Sequence, residues 1–202
     1  MIESRMVRLL LASSLMVGGI FSARAETITF DGLAGTAMAG SSIVGATYTG
    51  FAANAPATVD GFQFSSSGPQ YVLGAAYAAA CCSGDFGPLA YNGTDYLIGL
   101  PDITVAMVGG GAFALKSFDL AEWDNTYTAS ISLTTAGPSG NTTQTLPLSL
   151  FGHGYLTGGN DFAHFRLTGY DNLVSFTLTG SVSWAFIALD NLQVVGAIPE
   201  PG

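Results

Sequence analysis

In Thr126–Thr135 (TYTASISLTT) every second side chain from Tyr127 to Leu133 is apolar: Tyr127, Ala129, Ile131 and Leu133, with Thr or Ser between them. An extended strand with one buried face gathers such residues on one side, because successive Cβ atoms alternate across a sheet. Short runs of this kind recur from Glu26 onward: Thr27–Phe30, Ser41–Phe51, Val59–Phe64, Tyr96–Ile98, Ile103–Val108, Phe113–Trp123, Thr145–Leu150, Phe162–Leu167 and Leu173–Thr179. In the last of these Val174, Phe176 and Leu178 are expected to face inward. Gly, Asn, Asp, Ser and Pro separate the runs, with Asp31-Gly32 as one turn pair. Trp184–Val195 is different: it is apolar on both faces, as a strand in the middle of a sheet is. Gly74–Ala80 is the one candidate for a short helix. Some ten or eleven strands predict an all-β fold, an antiparallel β-sandwich of jelly-roll-like type.

The chain has 202 residues, which suits one sizeable domain and is short for two. Ahead of the first strand, Arg5 and Arg8 precede the apolar run Leu9–Phe21, and Ala23-Arg24-Ala25 follows. This is the basic, apolar and small-residue order of a secretory signal peptide, with cleavage expected after Ala25. Removal takes Arg5, Arg8, Arg24 and Glu3, so the net charge goes from −9 to −11. A surface of that sign repels nucleic acid and anionic lipid, and suits calcium or neutral glycans. The organisation read from the sequence is a signal peptide at 1–25, a β-sandwich domain at 26–196 and a terminal Pro-Glu-Pro segment at 197–202.

No catalytic residues stand out. The two histidines, His153 and His164, and two adjacent cysteines do not make a zinc set, and no nucleophile elbow precedes a helix. On a strand, His164 shares a face with Phe162 and Arg166. Carboxylates are the stronger lead. Asp190 interrupts the last apolar run, where burying an acid is costly unless it is paired or binds a cation. With Asp31, which follows the first strand, it forms a candidate structural Ca²⁺ site, since hard oxygen ligands favour that ion. Hydrogen bonding of Asp190 to backbone in a turn, helped by Asn191, is the other reading. Asp119, Glu122 and Asp124 supply a candidate acid pair for a glycan-active hydrolase, the alternative to a non-enzymatic protein.

Binding material is concentrated in the irregular stretch Ser65–Gly93 and just beyond it. Tyr71, Tyr77, Tyr91 and Tyr96, with Trp123 further on, are the candidate ligand-binding aromatics, because flat amphipathic rings stack on sugar faces. Cys81 and Cys82 are a candidate vicinal disulfide. Consecutive Cα atoms are about 3.8 Å apart, less than the usual ~4.4–6.8 Å span, so such a bridge is strained. Intermolecular pairing, or two thiols with no role, are the other readings. Asn92-Gly93-Thr94 and Asn141-Thr142-Thr143 match the N-glycosylation tripeptide, which carries no weight alone.

The opening ITFDGL and the closing FIALDNLQVVGAIPEP, behind a signal peptide, resemble the PEP-CTERM exosortase-substrate proteins of Gram-negative bacteria. The resemblance rests on Leu189, Asp190, Asn191 and Leu192, then the sorting motif Pro199, Glu200 and Pro201. Tyr48-Thr49-Gly50-Phe51 and Phe118-Asp119-Leu120 are similar to internal phrases of that class. Its members continue from Pro-Glu-Pro into a transmembrane helix and basic residues. Neither follows here, so the motif is expected to be truncated and the mature chain as given to have no membrane span. The resemblance implies export to the periplasm, outer surface or extracellular space, an exosortase partner if the full tail exists, and a β-sandwich like a carbohydrate-binding module. It carries no catalytic residues. The function expected is a non-enzymatic surface or extracellular-matrix protein that binds polysaccharide, with a purely structural, adhesive coat protein as a further alternative.

Overall fold

A computed structural model describes residues 23–80, 90–122, 130–148, 160–183 and 185–197. Among these residues fourteen strands, numbered in chain order, form two antiparallel sheets. Across the larger sheet run β12 (Ala163–Arg166), β9 (Phe113–Glu122), β14 (Ile187–Ala197), β7 (Tyr96–Gly99), β6 (Gln70–Leu73), β3 (Tyr48–Phe51) and β2 (Ser41–Val44). The first strand, β1 (Ala23–Ile28), pairs with β14. Across the smaller sheet run β11 (Thr142–Pro147), β10 (Ser130–Ala136), β13 (Ser175–Gly180), β8 (Asp102–Met107), β5 (Phe62–Ser65) and β4 (Ala57–Val59). A short helix, α1 (Ala75–Ala80), follows β6. Pairing of β9 with β14 in one sheet encloses pairing of β10 with β13 in the other. That nesting gives the sandwich its jelly-roll-like wrapping.

The core lies between the sheets. Phe113 and Phe118 of β9 meet Phe176 of β13 at centroid distances of 6.2 Å each, and Phe62 of β5 stands edge-on to Phe113 at 5.2 Å. Val72, Leu97, Leu120, Ile187 and Leu189 point into the same core from the larger sheet. The middle position expected for the final run holds. One edge of β14 pairs with β9; the other is shared by β7 over Ile187–Leu189 and β1 over Leu192–Ala197. A strand with neighbours on both edges and packed residues on both faces needs apolar side chains throughout.

Two runs that read as single strands are hairpins, and β6 lies in the stretch Ser65–Gly93 that reads as irregular, so the described residues hold fourteen strands where ten or eleven were expected. Val59–Phe64 folds back at Asp60-Gly61, both with positive φ (48° and 76°), as a two-residue type I′ turn requires. Ser41–Phe51 turns around Gly45 into β2 and β3. Val174 does not face inward: it is 43% exposed, because Leu173 bridges to Phe113 and the strand proper starts at Ser175. Phe176 and Leu178 are buried as expected. Strand β1 crosses the Ala25–Glu26 bond, and the residues after that bond, Glu26, Thr27 and Ile28, pair with Val194, Gln193 and Leu192. The signal-peptide core, Cys81 and Cys82, Trp123 and Tyr127, His153 and Pro199-Glu200-Pro201 lie outside the described residues. Among the described residues no helix is long and apolar enough to cross a membrane.

Candidate functional site

The larger sheet carries apolar side chains on its outer face as well as its inner one. Alternation along β3, β6 and β7 sends Thr49, Val72 and Leu97 inward and Tyr48, Tyr71, Leu73, Tyr96 and Ile98 outward. Tyr77 of α1 and Phe186, just before β14, come over that face, and Ile43 closes it from β2. Together with Tyr48, Tyr71, Leu73 and Ile98 they line a cleft of about 340 Å³. It opens beside the edge strand β2, where Ile43 is 52% exposed.

Glycines shape this cleft. Gly50 lies directly opposite Tyr71 in the β3–β6 pairing, and a Cβ there would come within 2.8 Å of the Tyr71 ring. At Gly45 a Cβ would come within 2.2 Å of the Tyr48 ring. Each tyrosine therefore lies across a strand or turn position that has no side chain to lift it. The Tyr48 and Tyr77 rings meet edge-on at 5.7 Å, which fixes Tyr48 from its other side. All three tyrosines remain partly exposed. The cleft thus offers flat rings in a preset arrangement.

A second constellation lies on the same outer face, around Asp190. Its side chain is 1% exposed, and Oδ2 accepts hydrogen bonds from Asn92 Nδ2 (2.7 Å) and Thr94 Oγ1 (3.0 Å). Oδ1 is also buried and has no hydrogen-bond partner. Burial pushes the Asp190 carboxyl up to about 6; the Asn191 backbone N–H and the Thr94 and Asn92 side chains oppose that, and the nearby charge of Asp31 adds to it. A bulge follows, with Asn191 and Leu192 facing the single residue Phe118. Asn191 takes the left-handed conformation there (φ 48°), which asparagine tolerates better than most residues. Its Nδ2 donates to Asp119 Oδ2 at 2.8 Å, while Asp119 Oδ1 pairs with His164 Nδ1 at 2.6 Å. The adjacent Asp-Asn pair thus has divided roles: the acid reaches the loop before β7, and the amide bends the strand.

Of the candidate aromatics, Tyr71 and Tyr77 line the cleft. Tyr96 does not: it is fully buried, donates its hydroxyl to the Ala90 carbonyl at 2.8 Å and packs edge-on against Phe162. It is the floor of the outer face, because Ala90, Phe162 and Tyr77 of α1 belong to the apolar cluster that covers the sheet there. Tyr91 is half-buried outside the cleft lining, its backbone paired with Asp161. Tyr48, Phe186 and Ile43 also line the cleft, and the sequence reading does not single them out. Splitting Ser41–Phe51 at Gly45 would have placed Tyr48 beside Tyr71. Pairing of Ile28 with Leu192 puts the turn that carries Asp31 on the side of the sheet where Asp190 lies, within range of its charge. Asp119 and Glu122 do not pair, because three residues along β9 put them on opposite faces. Asn92 and Thr94 of the glycosylation tripeptide serve Asp190 instead. Among the described residues no three His, Cys, Asp or Glu side chains gather as a metal cluster.

No protein-family model matches the chain, and no curated protein matches it. Among solved structures the chain is similar to a DUF4465 family protein from Bacteroides ovatus. The two are 12% identical, with a TM-score of 0.47, over 74% of this chain and 83% of that one.

Proposed function

We propose that this chain is a non-enzymatic, exported protein of the cell surface or extracellular matrix that binds polysaccharide through the tyrosine cleft. The observation that carries the proposal is the set of Tyr48, Tyr71 and Tyr77 rings, two of them resting on glycines. Such rings match the apolar faces of sugars, and their fixed placement lowers the ordering cost of binding. The volume of about 340 Å³ falls in the ~300–1,000 Å³ range of small-ligand sites, so the cleft holds a short portion of a longer glycan. A net charge of −9 favours a neutral polysaccharide over an acidic one. Export rests on the signal-peptide pattern, and an exosortase partner on Pro199-Glu200-Pro201. Opposite placement of Asp119 and Glu122 weighs against hydrolysis by that pair.

Affinity electrophoresis in gels cast with different polysaccharides tests the proposal. Retardation by at least one neutral glycan is expected, and lost on Tyr71→Ala. Normal migration in every gel would leave the coat-protein alternative in its place.

A further inference from the structure

Asp190 Oδ1 is a buried oxygen that the protein alone does not satisfy in either charge state. Ionised, it lacks a donor; protonated, its hydroxyl would lack an acceptor. Natural structures rarely leave such an atom without a purpose, and the cost of an unpaired buried carboxylate is large. Three chain segments converge on it. The bulge Asp190-Asn191 belongs to β14, and the loop Asn92–Thr94 supplies its two hydrogen bonds. The third is the turn after β1. Pairing of Ile28 with Leu192 brings the end of β1 beside the bulge, and Asp31 follows three residues later.

That turn is held in place rather than left loose. Phe30, just before Asp31, is fully buried and packs edge-on against Phe64 at 5.2 Å. Ala34 N donates to Asp95 Oδ2 at 3.1 Å, tying the turn to the loop that precedes β7. Thr49 Oγ1 reaches the Thr36 carbonyl at 2.7 Å from beneath. Asp31 is exposed on this fixed turn, yet close enough for Asp190 to feel its charge. The charge of Asp31 thus reaches Asp190, whose buried Oδ1 has no hydrogen-bond partner.

The geometry points to a Ca²⁺ site formed by Asp190 Oδ1 and the Asp31 carboxylate, clamping the turn after β1 to the bulge of β14. Two carboxylates balance a divalent charge, and turn carbonyls and water complete the six to eight oxygens that Ca²⁺ takes. Two carboxylates are hard oxygen donors, which suit Ca²⁺ better than zinc or copper. Mg²⁺ demands a tighter octahedral shell and gives up water reluctantly, so Ca²⁺ is preferred. With only two acids the expected Kd is about 10⁻⁴–10⁻³ M, the range of extracellular calcium modules. The site is separate from the tyrosine cleft and independent of what the cleft binds.

Equilibrium dialysis of the full mature chain against Ca²⁺, with Mg²⁺ as control, tests the assignment. Wild type is expected to retain one saturable Ca²⁺ per chain. At a calcium concentration about 50-fold above Kd, its melting midpoint should rise by roughly 5–9 °C over the chelator-treated value. Asp31→Asn changes an exposed side chain, so it should melt like wild type in chelator. It should nevertheless weaken Ca²⁺ binding at least tenfold, as should the isosteric Asp190→Asn. No retained Ca²⁺ in wild type would overturn the assignment. So would Asp31→Asn binding with wild-type affinity.

Discussion

Replacing Asp190 by Asn should change how stability depends on pH more than it changes stability itself. In the fold, burial holds the carboxyl at about 6, against 3.8 for the ordinary group. At about 1.4 kcal/mol per pH unit, that difference amounts to roughly 3 kcal/mol, an upper bound because a real site relaxes. The sign follows from proton counting. A carboxyl raised in the folded state binds its proton more tightly there than in the unfolded chain. Its penalty is absent below about pH 4, grows as pH rises, and is complete above about pH 6. Asn keeps an acceptor oxygen for Asn92 and Thr94 but does not titrate. Its amide would sit where Oδ1 has no partner, a cost of about 1–3 kcal/mol that is the same at every pH. Asp31, Asp95, Asp119 and His164 around the site are present in both proteins and cancel in the comparison. Urea unfolding in chelator at pH 4, 5, 6 and 7 would measure the difference between the two proteins. Wild type should lose up to about 3 kcal/mol relative to Asp190→Asn between pH 4 and 7. Parallel profiles would refute the reasoning.

Three other perturbations test the fold and the cleft. Gly50→Val places a branched side chain under the Tyr71 ring, and should weaken glycan binding at least fivefold by titration while the circular dichroism spectrum keeps its strand signature. Phe118→Ala removes a ring that packs on both Phe165 and Phe176, and should cost about 3–5 kcal/mol in urea unfolding. Gly61→Ala asks an alanine to hold φ +76° at the β4–β5 turn, and should lower stability by about 1 kcal/mol with no change in m-value.

The strands were legible because burial on one side leaves a period of two, and β14 was legible because burial on both sides removes it. Hairpins inside longer apolar runs were not. Asp60-Gly61 lies between Val59 and Phe62, which a straight strand would put on opposite faces; the turn, with its positive φ, sends both inward. The need of Asp190 for a partner could be seen from the cost of a buried acid between two leucines. Its partners could not, since Asn92 and Thr94 are 98 and 96 residues away and nothing local marks them. Tyr96 was misjudged for a related reason. A tyrosine next to an irregular stretch looks available, and only the cover over the sheet's outer face shows that this one is enclosed. Tyr71 looked the same from sequence, but it lies across Gly50 beside an open edge.

The central claim is that the tyrosine cleft holds a neutral glycan. Titration calorimetry with oligosaccharides of the polysaccharide that retards the protein tests it most directly. Wild type should give saturable binding at one site. Tyr71→Ala and Tyr48→Ala should lose it, and each should melt within a few degrees of wild type because both rings are partly exposed. Undiminished binding by both variants would place the glycan elsewhere on the molecule, and the cleft would lose its role.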